Sequence, residues 1–130
     1  MFQIRVSAGF SAAHFLRDYH GKCENLHGHN YAVHAHVQGA EIGAGGMLMD
    51  FSELKGALRA VCARLDHKNL NDFAEFAQNP SAERIARFIY DGILEQLPAL
   101  GNGGGAGAAR LHAVDVFETE TSRARYIADS

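Results

Sequence analysis

At 130 residues, 47% of them hydrophobic, the chain is long enough to bury one core and short for two, so a single domain over residues 1–130 is expected. A balance of 12 Lys and Arg against 15 Asp and Glu leaves a net charge of -3, which excludes the basic field that draws proteins to nucleic acid without sequence preference. No stretch approaches the roughly 18 apolar residues of a membrane helix, and "MFQIRVSAGF" has no charged leader before an apolar run, so the expectation is a soluble, cytoplasmic protein without a membrane partner.

From Gln3 to His14, the residues Ile4, Val6, Ala8, Phe10 and Ala12 alternate with smaller or more polar neighbours, the two-residue period of a half-buried strand. His14 falls on the apolar parity. Tyr31, Val33, Ala35 and Val37 repeat the pattern up to Gly39, so a second strand extends back toward His29, with a loop over 17–26 between the two. Asp50 stands three residues before Glu53 in a capping-box-like arrangement, and Leu54, Leu58, Val61 and Leu65 follow at helical spacing, which predicts a helix over 51–65. A second helix opens at "NPSAE", where Asn79 can cap and Pro80 suits the first helical position; Ile85, Phe88, Ile89, Ile93 and Leu97 form its apolar stripe. Pro98 and Gly101 end it, and "GNGGGAGAA" reads as a flexible connection. "LHAVDVFE" and "RARYIA" close the chain as short strands. The order ββααββ suits an α+β domain, a four-stranded antiparallel sheet with both helices on one face. Its two open edges invite pairing with other subunits.

The stretch Cys23 to Gly39, "CENLHGHNYAVHAHVQG", concentrates one cysteine and four histidines in 17 positions. In extended chain, residues two apart face the same side, so His27 and His29 can offer two imidazoles to one point, with Gly28 letting the backbone come close. If the strand carrying His14 pairs with the strand after His29, three neutral imidazoles converge, the donor set of a catalytic zinc site with an open fourth position. His34 and His36 have the opposite parity and read as surface residues of the sheet. Cys23, four residues before His27, has two readings that spacing leaves open. As a fourth ligand it would make the zinc structural; beside a cation its thiol would drop below its ordinary pKa and serve as a base. Cys62, beside the stripe of the first helix, reads as a small core residue. Asp66 directly before His67 is either a polar helix exit or a carboxylate that orients an imidazole for proton transfer. Glu118 shares parity with Val114 and Val116, so its carboxylate points to the buried side and needs a donor from the protein or from a ligand bearing N–H groups.

Six segments in order, "FSAAH", "CENLHGHNY", "GMLMDFSELK", "LDHKNLN", "NPSAE" and "FETET", together resemble the 6-pyruvoyl-tetrahydropterin synthase family, and more closely its carboxy-forming bacterial branch of the queuosine pathway. The resemblance implies the tunnelling fold, or T-fold, in which three subunits join sheets into a barrel and two trimers stack into a homohexamer with active sites between subunits. It implies His14, His27 and His29 as Zn2+ ligands, Cys23 as catalytic base, Asp66 with His67 as the proton-relay pair, and Glu118 as the anchor of a pterin substrate. The implied activity is that of a zinc-dependent lyase converting 7,8-dihydroneopterin triphosphate to 6-carboxy-5,6,7,8-tetrahydropterin, acetaldehyde and triphosphate. Lys22, Lys68 and Arg17 flank the motifs as candidate triphosphate contacts. Three residues, "ENL", separate Cys23 from His27, as in the carboxy-forming type, whereas the pyruvoyl-forming type has five. Two alternatives stand beside this activity: the pyruvoyl-forming reaction, and a non-catalytic zinc module in which Cys23 closes the site.

Overall fold

The computed structural model describes residues 1–17, 21, 24–101 and 105–128. Strands β1 (Phe2–His14) and β2 (His27–Gly39) form a long antiparallel pair in which Phe2 faces Gly39 and His14 faces His27. Helix α1 (Phe51–Leu65) follows, then the two-residue strand β3 (Lys68–Asn69), helix α2 (Ala82–Gln96), and strands β4 (Arg110–Thr119) and β5 (Ser122–Ile127). The alternation read from the sequence sets the layers. Val6, Phe10, Tyr31, Val33, Ala35, Val37, Val114 and Val116 line the buried face of the sheet, and Leu54, Leu58, Val61, Leu65, Ile85, Ile89 and Ile93 pack onto them from the helices. Removing that apolar area from water is the main stabilising term of such a layer. No helix among the described residues is long and apolar enough to cross a membrane.

The sheet departs from the expected four antiparallel strands. Among the described residues it has five, in the order β3-β1-β2-β4-β5, and β3 runs parallel to β1 through Ala12–Lys68 and Ala13–Asn69. The cause is local. His67 takes a left-handed φ of 57° and its N–H donates to the Ser11 carbonyl at 2.6 Å, which turns the chain leaving α1 back alongside the end of β1. Histidine tolerates that region better than branched residues do, and two residues are too few to carry a strand period.

The start of α2 also differs from expectation. Ser81 is the N-cap, its hydroxyl accepting from the Arg84 N–H at 3.3 Å, and Pro80 lies before the helix. Asn79 is occupied elsewhere: its side-chain carbonyl accepts from the Arg17 N–H at 2.6 Å and its amide donates to the Arg17 carbonyl at 3.3 Å. Asn71 grips Phe15 in the same two-handed way, at 2.9 and 3.0 Å. Both asparagines hold the segment that leaves β1. Asp50 caps α1 as expected, accepting from the Ser52 N–H at 2.8 Å.

The two helices approach closely at Gly92. A methyl group there would lie 2.9 and 3.0 Å from the Val61 methyls, and a helical valine is held to essentially one rotamer. Overpacking costs about 1–3 kcal/mol and the better helix propensity of alanine returns about 1 kcal/mol. Gly92→Ala is therefore expected to destabilise the protein by about 1 kcal/mol in a urea titration; a stabilised variant would mean that the helices have room to spare.

Candidate functional site

The β1–β2 register brings the end of one strand against the start of the other, so His14, His27 and His29 meet on the helix side of the sheet. Their ring centroids are 4.5 Å (His14–His27), 4.8 Å (His27–His29) and 5.1 Å (His14–His29) apart, and one nitrogen from each lies within 4.8 Å of the others. Two of the rings are oriented by backbone carbonyls. His14 Nδ1 is 2.8 Å from the Pro80 oxygen and His27 Nδ1 is 2.6 Å from the Asn25 oxygen. A carbonyl can only accept, so each Nδ1 carries the proton and each Nε2 keeps its lone pair, the arrangement in which histidine binds metal.

His14 Nε2 and His29 Nε2 are buried without a hydrogen-bond partner. Burial holds the His14 imidazole below its ordinary pKa, although the Pro80 carbonyl and the Glu118 carboxylate pull the other way. A neutral, desolvated imidazole with a free lone pair is costly unless something accepts that lone pair. Three of them converging suit a borderline cation such as zinc, so the residues present fit the metal expected from the sequence. Gly28 has a smaller part than expected: a Cβ there would sit 3.6 Å from the Ala12 oxygen, an ordinary contact.

Glu118 reaches the same cluster from the end of β4. Its carboxylate oxygens lie 3.9 Å from His14 Nε2 and 3.8 Å from His29 Nε2, beyond hydrogen-bond length, so the histidines leave its acceptor capacity unused. It points to the buried side, as parity requires, but is 29% exposed because β4 ends beside it. Tyr31, two residues after His29 and on the same face, completes the wall: it stacks on Phe10 at 4.7 Å and stands edge-on to His29 at 5.3 Å. Burial, and then the Glu118 charge, push its phenol well above the ordinary tyrosine range.

Asp66 and His67 are joined as the relay reading requires. Asp66 Oδ2 is 2.9 Å from His67 Nδ1, and Asp66 Oδ1 accepts from the Ser11 N–H at 2.9 Å. That backbone bond first, and the imidazole second, hold the Asp66 carboxyl below its usual range. Asp66 also forms the polar exit of α1, its N–H donating to the Cys62 carbonyl. His67, 83% exposed, opens onto a cleft of about 540 Å³ lined also by Ser11, Ala13, Asn30 and Lys68.

Cys23 and Lys22 lie outside the described residues. Cys62 is a core residue with 2% exposure, its thiol pushed up to about 12 by burial and by Asp66. His34 and His36 do not stand free on the surface. His36 Nε2 is 2.6 Å from Asp115 Oδ2, and Asp115, 1% exposed, also receives Arg125 at 2.6 and 3.0 Å and Arg123 at 3.4 Å. The group His34, His36 and Asp115 is compact enough for a cation, but two guanidinium groups already neutralise its one carboxylate. The sequence reading missed Tyr31, Asp115 and the two orienting carbonyls. Strand parity placed Tyr31 on the same face as His29 without singling out its hydroxyl, whereas a backbone carbonyl has no sequence signal.

The sequence matches the 6-pyruvoyl tetrahydropterin synthase family over residues 3–129. The chain belongs to this family. Within it, the 6-carboxy-5,6,7,8-tetrahydropterin synthase of Synechocystis sp. is 37% identical over 131 residues, spanning 97% of this chain and 93% of that one. The human 6-pyruvoyl tetrahydrobiopterin synthase is 36% identical over 135 residues, spanning 92% and 87%. The structure of the Caenorhabditis elegans 6-pyruvoyl tetrahydropterin synthase superposes with a TM-score of 0.82 at 26% identity, covering 98% and 96% of the two chains. Relatives of both names lie at nearly equal identity, so family membership does not decide between them.

Proposed function

We propose that the protein is a zinc-dependent carbon–carbon lyase that converts 7,8-dihydroneopterin triphosphate and water to 6-carboxy-5,6,7,8-tetrahydropterin, acetaldehyde and triphosphate, the reaction that feeds queuosine-type 7-deazapurine synthesis in the cytoplasm. The observation that carries it is the pair of buried, unpartnered Nε2 atoms of His14 and His29 beside the Glu118 carboxylate. Zinc held by His14, His27 and His29 would contribute Lewis acidity at the side-chain hydroxyls of the substrate.

The remaining roles fall to the chain's own groups. Glu118 accepts two N–H groups from the amidine-like edge of the pterin, a two-donor face that a carboxylate matches. Cys23 takes the carbon-bound proton as a thiolate. His67, with Nδ1 engaged by Asp66, exchanges protons through Nε2 on the side of the cleft it lines. Lys68 lines that cleft too and suits the triphosphate. The spacing Cys23-Glu24-Asn25-Leu26-His27 and the Synechocystis relative favour the carboxy-forming branch.

The whole chain acts as one T-fold domain within a homohexamer whose sites lie between subunits. Sheet edges support this assembly: β3 covers β1 only at Ala12 and Ala13, and β5 ends the sheet on the other side.

Incubating zinc-loaded protein with dihydroneopterin triphosphate and weighing the products tests the reading. The expected products are 6-carboxy-tetrahydropterin and acetaldehyde. Accumulation of 6-pyruvoyl-tetrahydropterin without acetaldehyde would assign the sister reaction. No conversion, together with loss of the fold on chelation, would make the zinc site structural, with Cys23 as its fourth ligand.

A further inference from the structure

Among the described residues, three buried side-chain polar atoms lack a hydrogen-bond partner: His14 Nε2, His29 Nε2 and the Tyr31 hydroxyl. A bound cation accounts for the two imidazoles. It does not account for a phenol, which carries a proton to donate, and a buried donor left unpaired costs stability. The ring has little freedom to find a partner by moving. It is stacked on Phe10 at an interplanar angle of 15° and hemmed edge-on by His29 at 5.3 Å and His14 at 5.9 Å.

One acceptor, Glu118, faces the same cluster. Ala32 pairs with Phe117, and the next residues outward on the two strands are Tyr31 and Glu118, both on the helix side of the sheet. The carboxylate there is not spent on the histidines, from which it is 3.8 and 3.9 Å away. We infer that Tyr31 is a positioning residue for the pterin anchor: in the substrate-bound site its hydroxyl donates to the Glu118 carboxylate and holds that group in the plane from which it accepts the two pterin N–H groups. This rests on the function proposed above and adds to it the residue that sets the anchor's orientation. A hydroxyl left unpaired in the empty site costs stability there, and pairing it with the carboxylate in the bound site recovers that cost as the anchor is fixed.

Tyr31→Phe removes the oxygen alone and keeps the ring stack. In zinc-loaded protein the KM for dihydroneopterin triphosphate is expected to rise about tenfold, the weight of one hydrogen bond to a charged group, with kcat within about twofold. The zinc content should stay the same, and the thermal midpoint should be equal to or above that of the wild type. An unchanged KM would overturn the inference. So would a fall in kcat or zinc content in place of the KM effect, which would place Tyr31 in the service of the histidines, or a clear fall in thermal midpoint, which would give the hydroxyl a structural partner. A wild-type protein that does not turn over the substrate removes the proposed function, and the inference with it.

Discussion

On the proposed function, replacing His14 by alanine is expected to abolish zinc binding and turnover together. His14 is 1% exposed, sits opposite His27 at the closed end of the β1–β2 pair, and is held by the Pro80 carbonyl with its Nε2 facing the other two rings. Groups that merely orient a ligand are worth about 10–100-fold in metal affinity, so losing the ligand itself should exceed about 100-fold. The substitution also strips the Pro80 carbonyl of its donor in a buried place, adding about 1–3 kcal/mol of destabilisation in the metal-free protein. Zinc measured by mass spectrometry after dialysis against limiting metal gives the first effect, and chemical denaturation gives the second. His34→Ala is the control: it leaves the three-histidine cluster intact and should keep full zinc. Stoichiometric zinc in His14→Ala would place the metal elsewhere.

Asp115→Asn is expected to be the most destabilising single change on the face of the sheet away from the helices. The Asp115 carboxylate is 1% exposed and is the shared partner of His36, Arg125 and Arg123. Removing one member of a buried ion network costs about 3–5 kcal/mol. Arg125 and Arg123 are 30% and 43% exposed, so water screens part of the loss, and about 2–3 kcal/mol is expected. That corresponds to a drop of about 10 °C in thermal midpoint.

The pH dependence has a defined sign. Burial alone would raise the Asp115 carboxyl; the Arg125 and His36 hydrogen bonds outweigh it and hold the group at about 2, against an ordinary value of 3.8. A folded-state pKa below the unfolded one means that the contribution is complete above about pH 4 and is lost as pH falls toward about 2. The wild type should therefore lose its advantage over Asp115→Asn across that interval when thermal midpoints are compared. Equal stability of the two proteins at neutral pH would show that the arginines do not need this carboxylate.

The relation of sequence to structure differs from element to element. Long periodic runs were legible, because burial of one face imposes a period that local sequence must carry: β1 and β2 lie where alternation put them, and α1 spans Phe51–Leu65 as its stripe and cap required. The pairing of His27 with His29 was legible for the same reason. Features that depend on distant partners were not. Asn79 and Ser81 are both good caps, and the choice between them fell to Ser81 because Arg17, brought alongside by the end of β1, occupies Asn79. β3 exists because Ser11 accepts the His67 N–H, a bond between residues 56 positions apart. His34 and His36 alternate like exposed residues, yet Asp115 from β4 and the arginines of β5 partly bury them.

The site divides along the same line. Residue types, spacing and strand parity marked His14, His27, His29, Asp66, His67 and Glu118 as candidates, and the family resemblance supplied the roles expected of them. Whether those groups meet, which imidazole nitrogen keeps its lone pair, and which buried hydroxyl is left unpaired were decided in three dimensions by the β1–β2 register, the Pro80 and Asn25 carbonyls and the Phe10 stack. Hydrogen-bond satisfaction is a property of the packed molecule, since each buried donor or acceptor is matched by groups that the local sequence around it does not contain.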